Sequence, residues 1–270
     1  MASTTDTAGL QRALTDKLAQ LISSDDWKAA LETAAQFHDY SWGNTLLISA
    51  QCPNARRVAG YRTWQSLGRQ VRKGESSIRI LAPVTIKDEE TDDRRCIGFR
   101  AVSVFDISQT DGDDLAEVAA VELDGNRPSE VWDQLRAMVA DAGYSLEWAD
   151  LPAGHNGCTE WKTRRVVLAN GLSEAQQAKT LAHELAHIQL GHESRQPNEP
   201  RGLLEVEAES VAYMVMSSAG VVSDSYSLPY VASWSNGDVG LVKSTAERVV
   251  KVAAEIIDRI TALTRDLVPA

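Results

Sequence analysis

Residues 180–192, TLAHELAHIQLGH, carry His183 and His187 four apart, Glu184 directly after the first, and His192 five beyond the second. Four residues of α-helix turn through about 400°, so His183 and His187 leave one face a turn apart. Two imidazoles so placed can share one Zn²⁺ at about 2.0–2.1 Å each. Glu184 lies about 100° further round, too far aside to ligate but able to take a proton from zinc-bound water. H-E-x-x-H thus encodes a metal clamp and a general base. With 5 His and 18 Glu in 270 residues, roughly 0.006 random matches are expected, so the pattern is a specific signal.

A catalytic zinc needs a third protein ligand and an open fourth position. The segment LLEVEAESVAYMV supplies three acids, Glu205, Glu207 and Glu209. Leu204, Ala208, Val211 and Val215 form an apolar face at helical spacing, and Glu205 and Glu209 share the face beside it. Glu207, about 200° from Glu205, is expected in solvent. Glu205 is the expected ligand, and Glu209, one turn on, the expected acceptor for the second N–H of a ligating histidine. The reverse assignment of these two acids stays open, and His192 is an alternative ligand or an outer partner. Peptide hydrolysis is the chemistry this implies. Glu184 takes the proton as water attacks a carbonyl carbon, then hands it to the leaving amine. Tyr213, Tyr226, Tyr230, His155 and His192 are conceivable donors to the oxyanion.

These residues need a scaffold. The pattern predicts helices over 7–23, 26–40, 44–50 and a short one at YRTWQSLG, with a hairpin turning at Lys73-Gly74 and a strand at CIGFRAVSVFDI. Residues 88–95 read as a charged loop tip. The acidic, glycine-punctuated stretch 109–128 suggests a domain boundary near residue 125. Beyond it come a helix from Ser129, three short strands, and the motif helix, opened by a capping box of Ser173 and Gln176 and ended by Gly191. Helices over 203–218 and 241–267 follow. The fold class is α+β: an N-terminal α+β domain with a small antiparallel sheet, residues 1–125, then a minimal zincin-like domain, residues 126–270.

Hydrophobic residues make up 43% of the chain, enough for a core. No run of 18 apolar residues and no apolar leader is present, so no membrane span is expected and a cytoplasmic location is. Cys52, Cys96 and Cys158 are widely spaced and expected to be reduced. The net charge of −11 is uneven: residues 1–110 hold 14 Lys+Arg against 13 Asp+Glu, and residues 111–270 hold 13 against 25. Within residues 51–82, Arg56, Arg57, Arg62, Arg69, Arg72, Lys73 and Arg79 face Glu75 alone, a local +6. Tyr61 and Trp64 stand among these cations. Aromatic platforms between cations suit single-stranded nucleic acid, where stacking supplies roughly 1–3 kcal/mol per base.

Two resemblances sharpen this. The order strand, strand, S-x-x-Q helix with HELAHIQLGH, then E-x-E-A-E-x-V-A resembles the ImmA/IrrE-type zinc metallopeptidases over roughly residues 128–220. The resemblance implies His183, His187 and Glu205 as ligands and Glu184 as the catalytic base. Many members carry Asn where Glu209 stands. The segment YSWGNTLLISAQCPNARRVAGYRTWQSLGRQVRKGESSIRILAP is similar to the single-stranded-DNA-binding domain of ArdC-type antirestriction proteins over about residues 35–85, through Ser41 to Asn44, the Trp64 region, Gly68-Arg69 and Val71 to Gly74. It implies single-stranded DNA as partner, with contacts among Arg56, Arg57, Tyr61, Arg62, Trp64, Arg69, Arg72 and Lys73. The combined expectation is a single-stranded-DNA-binding, antirestriction-like protein with a zinc peptidase domain of unassigned peptide substrate. Two alternatives stand beside it: an ImmA/IrrE-type regulatory protease cleaving a repressor, and a non-catalytic DNA-protecting protein with structural zinc.

Overall fold

The structure is a computed structural model that describes residues 4–21, 24–87, 94–112, 129–195, 199–221, 235 and 237–266. The charged tip at 88–93, the boundary near 125, and Tyr226 and Tyr230 lie outside the described residues. The chain divides into two compact units, Met1–Gln20 with Tyr40–Glu117, and Leu21–Asp39 with Val118–Ala270. Among the described residues no helix is long and apolar enough to cross a membrane.

The first unit takes α1 (Thr4–Gln20); the next helix, α2 (Ser24–Gln36), belongs to the second unit, although the sequence groups it with the first domain. The first unit resumes with α3 (Trp42–Gln51), β1 (Val58–Ala59), α4 (Tyr61–Ser66), β2 (Arg69–Val71), β3 (Ile78–Lys87), β4 (Arg94–Asp106), a 3-10 turn and β5 (Thr110–Gly112). The strands make an antiparallel sheet in the order β1-β4-β3 and a small ladder of β2 with β5. Lys73-Gly74 is a turn, but not the hairpin turn that the sequence suggests. The strand before it pairs with β5, and β3 pairs with β4.

Side-chain amides of α3 cover the outer edge of β3. Asn44 donates to Leu81 O at 2.8 Å and accepts from Leu81 N at 2.9 Å, and Gln51 does the same for Arg79 at 2.8 and 2.9 Å. An exposed strand edge would otherwise template pairing with another chain. Asp106, fully buried at the end of β4, accepts from the backbone N–H groups of Arg56, Arg57 and Ser108 at 2.7, 3.0 and 2.9 Å. Burial pushes its carboxyl up, but these donors outweigh that and hold it below the usual value.

The second unit adds α5 (Ser129–Asp141), β6 (Ser145–Ala149), β7 (Gly157–Glu160), β8 (Arg165–Ala169), α6 (Glu174–Gln189), the single turn α7 (His192–Arg195), α8 (Arg201–Ser218) and α9 (Val239–Asp266). Its sheet runs β6-β8-β7, with β6 parallel and β7 antiparallel to β8, so β7 is an edge strand. Ser173 caps α6 by accepting from Gln176 N at 3.3 Å, but the Gln176 amide turns to Thr180 Oγ1 at 3.2 Å, so only half of the expected capping box forms. Helix α8 is packed by α6 on one side and by α2 and α9 elsewhere. Its residues from Leu203 to Met216 are therefore buried almost all round. Trp27 of α2 donates to Ser210 Oγ at 3.1 Å, and the fold is α+β in both units.

Candidate metal centre and basic surface

Helix α6 presents its two motif histidines to α8. His183 Nε2 and His187 Nε2 are 3.0 Å apart, and Glu205 Oε2 lies 3.4 Å from the first and 3.6 Å from the second. These three atoms form a nearly equilateral triangle. Ligands at about 2.0–2.1 Å in a tetrahedral site would stand about 3.3 Å from one another. The donor set therefore fits a small divalent ion with one corner left for the cleft. Burial works against protonating His183, but Glu205 and Glu209 outweigh it and raise its pKa to about 9. The two histidines in turn hold the Glu205 carboxyl well below its ordinary value. A cation in the triangle would take over the role of those protons.

The remaining acids and the third histidine sit behind the triangle. Glu209 Oε2 is 3.0 Å from His183 Nδ1, and its other oxygen meets Lys179 Nζ at 3.1 Å. His192 is fully buried, with Nδ1 2.7 Å from His187 Nδ1 and Nε2 3.1 Å from Glu207 Oε2. Leu190 closes α6, and Gly191, at φ 66°, turns the chain back so that His192 comes under His187. Glu207 is not in solvent. It is fully buried and is bonded by Arg195 Nη1 at 2.7 Å and by Arg248 Nε of α9 at 2.8 Å. Burial alone would raise its carboxyl, but His192 and the two arginines pull it well below the usual range. The expectation failed because a helix wheel assigns a wet face only to a helix with one covered side, and α8 has several.

Glu184 is buried beside the triangle, and Thr159 Oγ1 of β7 donates to its Oε2 at 2.7 Å. The strand passes so close to α6 that a Cβ on Gly157 would stand 2.5 Å from Thr180 Cγ2 and 3.3 Å from Glu184 Oε1. Only glycine fits there without displacing the Thr180 side chain and crowding Glu184. Nothing in the local sequence marks Thr159 or Gly157, because their roles arise from strand-to-helix packing. The triangle, Glu184, Glu209, His155, Trp161, Lys179 and Arg201 line one cleft of about 700 Å³. Of the conceivable oxyanion donors, His155 lines this cleft, and His192 lies behind His187. Tyr213 is turned away to Glu32, which together with burial raises its pKa.

The basic stretch of the first unit divides in two. Arg56, Arg57, Arg62 and Lys73 are exposed, and Tyr61 is 43% exposed with its hydroxyl bonded by Gln70. Tyr61, Gln70, Lys73 and Phe105 share a shallow groove. Trp64 does not join them. It is fully buried with its indole N–H on Phe105 O at 2.9 Å, so it offers no face to a base. Arg69 grips Thr110 Oγ1 at 2.8 Å and Gly112 O at 3.1 Å, and Arg72 reaches Glu75 at 2.8 Å and Asp111 at 3.2 Å. Both guanidinium groups tie β2 to β5. Phe99, 52% exposed on β4, is an aromatic the sequence did not single out, because strand alternation alone does not tell which face is covered.

Two α+β units, the second built around an H-E-x-x-H helix and an acid from the next helix, are the class this fold defines. Residues 10–121 match the N-terminal domain of anti-restriction factor ArdC, and residues 145–221 match the IrrE N-terminal-like domain of the M78 peptidases. The chain therefore joins an ArdC-type N-terminal domain to an IrrE-like domain. The crystal structure of the antirestriction protein ArdC from plasmid R388 is similar in its metal-free form, at TM-score 0.52 and 24% identity over 82% of this chain and 85% of that one. Its Mn(II)-bound form gives TM-score 0.51 over 82% and 84%. An uncharacterized protein of Bacillus anthracis, pXO2-81, is 24% identical over 93% of this chain, which spans 50% of that relative's length.

Proposed function

We propose that this chain is an antirestriction-type protein whose first unit binds single-stranded DNA and whose second unit is a metal-dependent peptidase. The observation that carries the second half is the triangle of His183, His187 and Glu205, with edges of 3.0, 3.4 and 3.6 Å. Zinc suits two imidazoles and a carboxylate, and the Mn(II)-bound form of the R388 protein supports a divalent ion. Bound there, such an ion supplies Lewis acidity that activates water and polarises a carbonyl. The chain's own residues do the rest. Thr159 fixes the plane of the Glu184 carboxylate, which accepts the proton of the attacking water and returns it to the leaving amine. Glu209 accepts a hydrogen bond from the Nδ1–H of His183, which leaves Nε2 free to ligate.

The test is metal content of the purified chain by mass spectrometry, for wild type and Glu205→Ala. One equivalent of zinc in the wild type, and its loss from the variant, is the expected result. Unchanged zinc in the variant would transfer the third ligand to Glu209 or His192.

For the first unit, the exposed cations carry the proposal. Replacing Arg57, Arg62 and Lys73 together by Ala should weaken binding of an oligodeoxynucleotide. It should also flatten the log–log salt slope by about 0.7 per lost phosphate contact, roughly 2 in all. An unchanged slope would remove this surface from the footprint. Arg69 and Arg72 are poor probes, since their removal would loosen β2 from β5.

A further inference from the structure

Behind the second ligand lies a buried chain of hydrogen bonds. His187 Nδ1 meets His192 Nδ1 at 2.7 Å, His192 Nε2 meets Glu207 Oε2 at 3.1 Å, and Glu207 is clasped by Arg195 and Arg248. His192 and Glu207 are both fully buried. Only one hydrogen can lie between two ring nitrogens 2.7 Å apart, so its direction decides which nitrogen of His187 is left bare.

We propose that His192, held by Glu207, is a positioning residue that fixes His187 as the Nδ1–H tautomer and so presents its Nε2 lone pair to the metal. The inference rests on the metal reading above. Its logic is a count of donors. A carboxylate facing two guanidinium groups is ionised and can only accept, so the Nε2 of His192 carries hydrogen toward it. Arg195 also holds Glu199, so the two guanidinium groups are already balanced by Glu207 and Glu199, and a second protonated ring nitrogen on the fully buried His192 would add a buried charge with no partner. His192 is therefore neutral, its Nδ1 accepts, and His187 Nδ1 donates. His187 Nε2 is then without hydrogen on the side facing His183 and Glu205. The two ligands are thus oriented differently, His183 by an acid directly and His187 by an acid acting through a second imidazole.

Such outer partners typically change metal affinity 10- to 100-fold when removed. His192→Leu keeps much of the ring's bulk and removes the acceptor. His192→Asn offers an amide oxygen near the position of Nδ1. In the full chain, competition titration with Zn²⁺ against a chromophoric chelator should show His192→Leu weaker by about 10- to 100-fold and His192→Asn recovering most of that loss. Nitrogen-15 spectra of metal-free wild type should show His187 carrying its hydrogen on Nδ1. Wild-type affinity in a folded His192→Leu variant, or a His187 that carries hydrogen on Nε2, overturns the proposal. Should His192→Leu fail to fold, the tautomer in wild type decides. Should wild type bind no zinc, the peptidase reading fails, while the same spectra still uphold or overturn the role of His192.

Discussion

Glu184→Gln is expected to leave the chain folded, loaded with metal, and unable to cleave peptides. Glutamine has the same shape, and its carbonyl oxygen can still accept the Thr159 hydroxyl that Glu184 Oε2 accepts at 2.7 Å. The three atoms of the triangle do not include Glu184, so metal content should match wild type. What disappears is the carboxylate that Thr159 holds beside the triangle, and a positioned general base contributes about 10²–10⁴-fold. The measurement is cleavage of a peptide library alongside metal content. Retained hydrolysis would deny Glu184 its role. Lost hydrolysis with intact protection of single-stranded DNA would show that the two units act separately, which is the prediction of the non-proteolytic antirestriction reading for biological effect.

Glu207→Ala is expected to cost the second unit a large part of its stability. The side chain is fully buried and anchors His192, Arg195 and Arg248 together. Removing one member of a buried ion pair costs about 3–5 kcal/mol, because the remaining charge stays behind without compensation. Arg195 keeps its salt bridge to Glu199, and the Arg248 side chain is 36% exposed, so water and Glu199 relieve part of this. The lower end of that range, about 3 kcal/mol, is the reasonable expectation. Urea denaturation of the metal-free variant checks it, and an unshifted midpoint would contradict the network. Surface acids such as Glu255 on α9, in an exposed pair with Lys251, should change stability by less than about 1 kcal/mol.

The contrast between Glu205 and Glu207 explains what could be read in advance. Local spacing on α6 determines the angle between His183 and His187, and the stripe of Leu204, Ala208 and Val211 turns Glu205 and Glu209 toward a common side. Both inferences need only the geometry of one helix. Glu207 needed knowledge of what lies on the far side of α8, and that comes from α9, some forty residues later. The same distinction separates the strand content of 78–87, which is local, from the pairing of β2, whose partner β5 also lies some forty residues on. Trp64 looked like a platform because its neighbours in sequence are cations. In the fold its indole faces β4 instead. Thr159 became a partner of Glu184 only through the passage of β7 beneath α6.

The reach of Arg248 from α9 to Glu207 bears on how small the second unit can be made. A fragment trimmed to the 145–221 family match would contain every atom of the triangle and Glu184. It would also lose α9, and with it one of the two guanidinium groups on Glu207 and the apolar cover supplied by Val242, Ala246, Val249, Ala253 and Ile256. The bared surface of α8 would be greasy, and such a fragment should be recovered as aggregate rather than as a minimal enzyme.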